Sequence, residues 1–195
     1  LGLPLIDMEM VQFHPTGLVA GEDTRITGTI IEEGLRGAGG YLLDGSEKRF
    51  MHEFDERGER ATRDIVSRGM YEVMRQGRTG PNGGLYITMG HLDPKMVVQQ
   101  FKGMVDRCRD VGFDLVSGLT EVVPTAHYMM GGIRFDENCF TEMPGVFVAG
   151  EDAGGAHGAN RLGGNGVANS TVFGGVAGDV MPGWLRKEGG FADPD

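Results

Sequence analysis

The sequence predicts an α/β chain. Strand-like and amphipathic helical stretches succeed one another along it, and its last third joins a continuous apolar run to a glycine-rich loop and a helix. Ile6, Met8 and Met10 alternate with polar neighbours, the pattern of a strand with one buried face. Pro15 and Gly17 are expected to end regular structure there. A second strand is expected from Ile26 to Ile31, then a tight turn at Gly37-Ala38-Gly39-Gly40. Tyr41-Leu42-Leu43 and Lys48-Arg49-Phe50-Met51 flank Asp44-Gly45, a hairpin signal.

Val66, Met70, Val73 and Met74 form one apolar face of a helix that Asp64 is placed to cap and Gly77 to end. A polar loop follows to Gly84. Asp93-Pro94 opens a second helix, whose apolar face is Val97, Phe101, Met104, Val105 and Cys108 and which stops at Gly112. Val146 to Ala149 reads as a strand buried on both faces. Beyond Gly150-Glu151 a glycine-rich loop reaches Gly166, and Val167 to Val180 reads as a helix of small residues suited to close packing.

The 195 residues suffice for one or two domains. A formal net charge of -10 argues against nucleic acid as a partner, because phosphate binding needs a basic surface. Buried arginines can still make a positive pocket within an acidic shell. No apolar run approaches the roughly 18 residues that span a bilayer. Cys108 and Cys139 form no C-x-x-C pair, so they read as two packed thiols and no metal site is expected. Glycine, at 35 residues, is more than twice its usual share of about 7%, and it clusters where backbone approaches a ligand closely.

Considered singly, His14 and His127 read as structural histidines, and Arg63 and Arg161 as members of salt bridges. Taken in order, the stretches sharpen: Phe13-His14-Pro15-Thr16-Gly17, Glu33-Gly34-Leu35-Arg36-Gly37, Arg63-Asp64, His127-Tyr128-Met129-Met130-Gly131-Gly132, and His157-Gly158-Ala159-Asn160-Arg161-Leu162-Gly163-Gly164-Asn165. Over roughly Leu3 to Asp179 this series resembles the flavoprotein subunits of succinate dehydrogenase and fumarate reductase, in the superfamily that includes L-aspartate oxidase.

The resemblance implies an α/β fold: the C-terminal part of a Rossmann-like FAD-binding domain carrying an inserted α+β capping domain. Residues 1–17 and 121–195 would belong to the first and 18–120 to the second. It implies FAD as cofactor and interconversion of succinate and fumarate. His14, His127 and Arg161 would hold the substrate's carboxylates, which suits the two-toothed guanidinium fork. Arg63 would donate and accept the proton, with Glu33 and Arg36 as its relay. Glu151, Gly166 and Val167 would meet the FAD. A small dicarboxylate is the implied partner, with iron–sulfur and membrane-anchor subunits and a cytoplasmic location, peripheral on the inner membrane.

Some residues depart from the pattern. Glu32 stands where a substrate-touching threonine is common, and a carboxylate there repels a dicarboxylate. Either Glu32 turns away, or the substrate differs in carrying an amino group, which gives L-aspartate oxidase as an alternative. Ala38 replaces glutamate, Gly166 serine or alanine, and Val11 tryptophan. Without the combined motifs, Glu33, Arg36 and Arg63 read as an ordinary ion-pair network in a non-catalytic binding module. No G-x-G-x-x-G strand–turn–helix precedes these motifs, so the chain is expected to be part of a protein about three times as long.

Overall fold

The computed structural model describes residues 1–21 and 26–188. In chain order its elements are β1 (Leu5–Ile6), β2 (Val11–Leu18), α1 (Gly34–Gly37), β3 (Tyr41–Leu43), α2 (Arg63–Arg75), β4 (Leu85–Thr88), α3 (Pro94–Gln100), α4 (Lys102–Asp110), β5 (Thr120–Met129), β6 (Gly132–Ile133) and α5 (Asn165–Glu188). The chain divides into two compact units, one of residues 1–12 and 127–195 and the other of residues 13–126. The FAD-binding and capping segments expected at 1–17, 18–120 and 121–195 remain our proposal for how the chain divides by function; residues 189–195 of the last lie outside the described residues.

The unit of residues 13–126 holds the main core. Four strands pair in the order β2-β5-β4-β3, with β3 and β5 both antiparallel to β4. Leu42, Leu85, Ile87 and Val122 from the sheet pack with Val66, Met70 and Val73 of α2, Val97 of α3, Val105 of α4 and Phe101 between those two helices. Burying each such side chain contributes roughly 1.5–3 kcal/mol against leaving it in water. The apolar helix faces read from the sequence are therefore the ones this core uses, whereas Met8 of the first expected strand is 44% exposed.

Several local expectations change. Asp64 is not the cap of α2: Thr62 occupies that position, Arg63 is the first helical residue, and Asp64 lies in the first turn. Thr62 Oγ1 donates to Asp64 at 2.6 Å and makes no capping hydrogen bond to a backbone amide. Gly77 ends α2 as expected. At φ +75° it lets Gly77 N–H reach the Met74 carbonyl and Arg78 N–H reach that of Val73.

Pro15 and Gly17 do not break the first strand; both lie inside β2, an edge strand where a proline's missing N–H is tolerated. The break comes earlier, at Asp7 to Met10, where Met10 N–H bonds to the Asp7 carbonyl. The strand expected from Ile26 to Ile31 reduces to one bridge between Ile30 and Gly17. Gly28, at φ +88°, turns the chain so that its N–H meets the Leu18 carbonyl.

The Asp44-Gly45 hairpin is partial. Its second arm contributes only a bridge from Arg49 to Leu43, and β3 takes β4 as its real partner. The single helix expected from Asp93 is two, α3 and α4, divided at Phe101, whose backbone leaves the helical region at φ -121° and ψ 31°. Asp93 caps α3 by accepting Lys95 N–H at 3.1 Å, as read from the sequence.

Strands β4 and β5 are additions to the sequence reading. Pro124 disguises β5, but it lies beyond Thr120–Val122, the residues paired with β4. Glu121, 1% exposed, accepts from Asn82 N–H at 3.0 Å, Asn82 Nδ2 at 2.7 Å and Gly84 N–H at 2.9 Å. Each buried donor left unsatisfied costs about 1–3 kcal/mol. Glu121→Ala should lower the urea midpoint clearly more than Glu121→Gln, which keeps one acceptor oxygen.

In the other unit β1 pairs with β6. Gly131 and Gly132 are required there, since a Cβ on either would collide with the Asp7 or Asp152 carbonyl. Val146 to Ala149 is not a strand buried on both faces; only Phe147 bridges, to Phe140, and their rings lie 4.6 Å apart. Without a sheet beside it the run is only partly covered. The last helix begins at Asn165, ahead of Val167, and continues through Pro182, bringing Trp184 to 6.1 Å from the Phe147 ring. Both cysteines are buried free thiols, and burial raises that of Cys108 to about 11. Among the described residues, no helix is long and apolar enough to cross a membrane.

Candidate active site

The predicted site residues fall into two sets, one in each unit. In the unit of residues 13–126, β2 carries His14, the approach to α1 carries Glu33, α1 carries Arg36, and the first position of α2 carries Arg63. His14, Arg36 and Arg63 are 1%, 2% and 8% exposed. Glu33 bridges the two arginines. One of its oxygens lies 3.0 Å from Arg36 Nη2, and the other accepts from Arg63 Nη2 at 2.6 Å and Nε at 3.1 Å.

Burial alone would raise the Glu33 pKa. The hydrogen bond from Arg63, with the charges of Arg63 and Arg36, outweighs it and holds the carboxyl below its ordinary value. Arg36 is lowered, chiefly by burial, with Glu33 opposing and Arg63 adding. Its Nη1 donates to the Glu59 carbonyl at 2.8 Å. Glu33 and Arg36 also line an open cleft of about 160 Å³ with Gly37, Glu59, Arg60 and Ala61.

Thr16 orients His14. Its backbone N–H meets His14 Nδ1 at 3.3 Å, while its hydroxyl donates to the Ile31 carbonyl at 2.7 Å. A backbone amide can only donate, so Nδ1 accepts and the neutral ring carries its hydrogen on Nε2.

In the other unit Arg161, 5% exposed, is the centre of the second set. Its Nη2 lies 3.0 Å from His127 Nε2, and its guanidinium lies 4.2 Å from the centre of the Tyr128 ring. Arginine cannot accept, so His127 Nε2 does, and the neutral imidazole keeps its hydrogen on Nδ1. Gln12 Nε2 donates to the Arg161 carbonyl at 2.5 Å and to Asn160 Oδ1 at 2.7 Å, fixing the loop that carries the arginine. Gly166 belongs to the same cluster: a Cβ there would lie 3.2 Å from the Tyr128 ring and 3.3 Å from Arg161 Nη1.

Gln12, Tyr128, His157, Asn160 and Asn169 were not among the sequence-predicted site residues. Four of them could have been suspected from lying within or beside the His127 and His157 motifs. Gln12 carries no local signal.

The profile of the FAD binding domain family matches residues 1–167. The chain belongs to this FAD-binding family. It is homologous to fumarate reductase flavoproteins and L-aspartate oxidases. Over 177 residues, 91% of the chain, it is 49% identical to a fumarate reductase (CoM/CoB) subunit of Methanothermobacter marburgensis, covering 32% of that protein. L-aspartate oxidase of Synechocystis is 37% identical over 88% of the chain and 31% of its own length. Quinol fumarate reductase of E. coli superposes with a TM-score of 0.87 at 34% identity, over 98% of this chain and 34% of the other. The FAD-binding chain thus spans about a third of the length of these relatives.

FAD is the cofactor of this family, and the residues assigned to it fit a flavin. Val167 is 76% and Leu162 61% exposed, leaving apolar surface at the start of α5, whose first turn bears no acidic residue. A helix N-terminus favours the negative charge that a reduced flavin ring carries. Glu151, exposed in the 3-10 turn Gly150–Asp152, accepts Met129 N–H at 2.9 Å, and a carboxylate there suits a ribose hydroxyl.

Proposed function

We propose that the full-length protein is an FAD-dependent oxidoreductase that interconverts succinate and fumarate. The observation that carries this reading is the Arg63–Glu33–Arg36 chain. A buried guanidinium pairs with a carboxylate, and that carboxylate also holds a second arginine beside an open cleft. Such a chain can return a proton to Arg63 after it has been given up. FAD, when bound, supplies the hydride chemistry.

His14 of one unit, and His127 and Arg161 of the other, are each proposed to bind substrate carboxylate. His14 offers its Nε2 hydrogen and Arg161 its fork, which His127 and the Tyr128 ring hold in place. Arg63 gives the proton in the reducing direction. Arg63 is the first residue of α2. Similarity to proteins called flavoprotein subunits supports assembly with further subunits, and iron–sulfur and membrane-anchor subunits are the electron partners proposed.

A second reading, L-aspartate oxidation, is favoured by Glu32. It is exposed, and one carboxylate oxygen lies 3.0 Å from where a Cβ on Gly34 would be. A substrate ammonium group would complement that charge. Assays of the full-length flavoprotein with succinate, fumarate and L-aspartate separate the two. Turnover of the four-carbon diacids is expected; turnover of L-aspartate alone would favour the second, and none with any of the three would reject both.

A further inference from the structure

We propose that His157 is a positioning residue for Arg161, acting through the Tyr128 ring rather than touching substrate. This rests on the reading of Arg161 as a carboxylate-binding residue.

The guanidinium of Arg161 lies over the Tyr128 ring, whose orientation, with His127, therefore helps to set where the fork points. Tyr128, 7% exposed, places its hydroxyl 3.3 Å from His157 Nε2, with the two rings edge to face at 5.5 Å. Asn169 of α5, 5% exposed, lies 3.2 Å from the same nitrogen through its Nδ2. That amide's orientation is determined by its other contact: Nδ2 donates to the Gly150 carbonyl at 3.1 Å, and a carbonyl can only accept.

An NH2 group therefore faces His157 Nε2, so that nitrogen is an acceptor and the ring's hydrogen is on Nδ1. The Tyr128 hydroxyl, 3.3 Å away, shares that single lone pair with the amide. A cationic His157 would turn an N–H toward the Asn169 amide hydrogens. Burial, and then the charge of Arg161, lower its pKa and favour the neutral ring. His157 thus joins β5, the 3-10 turn at Gly150 and α5 around the ring that supports Arg161. The turn and the helix are the two segments that carry Glu151, Gly166 and Val167. Removing the acceptor frees the Tyr128 ring and loosens Arg161, with no lost contact to the reacting atoms.

The test uses the full-length FAD-loaded protein with two readouts: steady-state kinetics, and calorimetric binding of malonate, a dicarboxylate that cannot be oxidised or reduced across a carbon–carbon bond. Tyr128→Phe, which removes only the hydroxyl, and His157→Phe should each raise KM and the malonate Kd about three- to tenfold, the worth of one neutral hydrogen bond, with kcat within twofold. His157→Gln, whose amide oxygen can accept, should restore most of the affinity. Unchanged malonate binding in Tyr128→Phe, or equal losses in the Gln and Phe variants of His157, would overturn the positioning role. Arg161→Ala tells the two ideas apart. If it binds malonate as wild type does, the carboxylate-binding reading fails; if it loses binding while Tyr128→Phe does not, only the His157 proposal fails.

Discussion

Arg63→Gln in the full-length flavoprotein should keep its flavin and lose turnover by about 10²–10⁴-fold, the usual contribution of a positioned proton donor. Glutamine retains hydrogen-bonding capacity at the start of α2 but supplies no proton at neutral pH. Glu33 keeps its Arg36 partner in this variant, so the carboxylate is not left unpaired. The loss should fall on kcat with KM within a few fold, because proton delivery is needed only in the transition state. Arg63→Lys should recover part of the activity, since an amine can donate but cannot meet Glu33 through both Nε and Nη2 as the guanidinium does. Flavin absorbance monitors folding independently. Undiminished turnover in Arg63→Gln would remove Arg63 from the chemistry and leave the three residues as an ion-pair network.

Arg161→Ala should instead appear mainly in KM. Truncating one partner of a buried, hydrogen-bonded charge pair costs about 2–5 kcal/mol, equivalent to roughly 30- to several-thousand-fold in affinity. Arg161→Lys should recover only part of this, because an ammonium neither forks onto a carboxylate nor lies flat on the Tyr128 ring. A near-normal KM in both variants would rule out Arg161 as the carboxylate-binding residue. The contrast between a kcat loss at Arg63 and a KM loss at Arg161 separates proton transfer from substrate binding.

The legible parts of the fold were those written in local periodicity. Val66, Met70 and Val73 announced α2, Asp93-Pro94 announced α3, and Gly77 its turn, because a helix face and its ends depend on residues only a few positions apart. Strand partners were not legible in the same way. β3 was expected to fold back on Lys48 to Met51 and instead pairs with β4, more than forty residues on. Nothing local distinguishes the two partners; sheet pairing is settled by which apolar face can be buried. Pro124 hid β5 because the rule against proline applies to paired backbone, and pairing is not a local property.

For the candidate site, the sequence alone determined the chemical inventory: three arginines with titratable neighbours, an E-x-x-R spacing that puts Glu33 one helical turn from Arg36, and motifs that placed the chain among FAD-binding proteins. The tertiary structure decided which groups are neutral, which are paired and which way they face. It gave Glu33 two arginine partners thirty and three residues away, made His127 and His157 acceptors by placing pure donors against them, and brought Tyr128 beneath Arg161. These choices depend on burial and on the direction of individual N–H groups, and both are properties of the packed chain rather than of residue order.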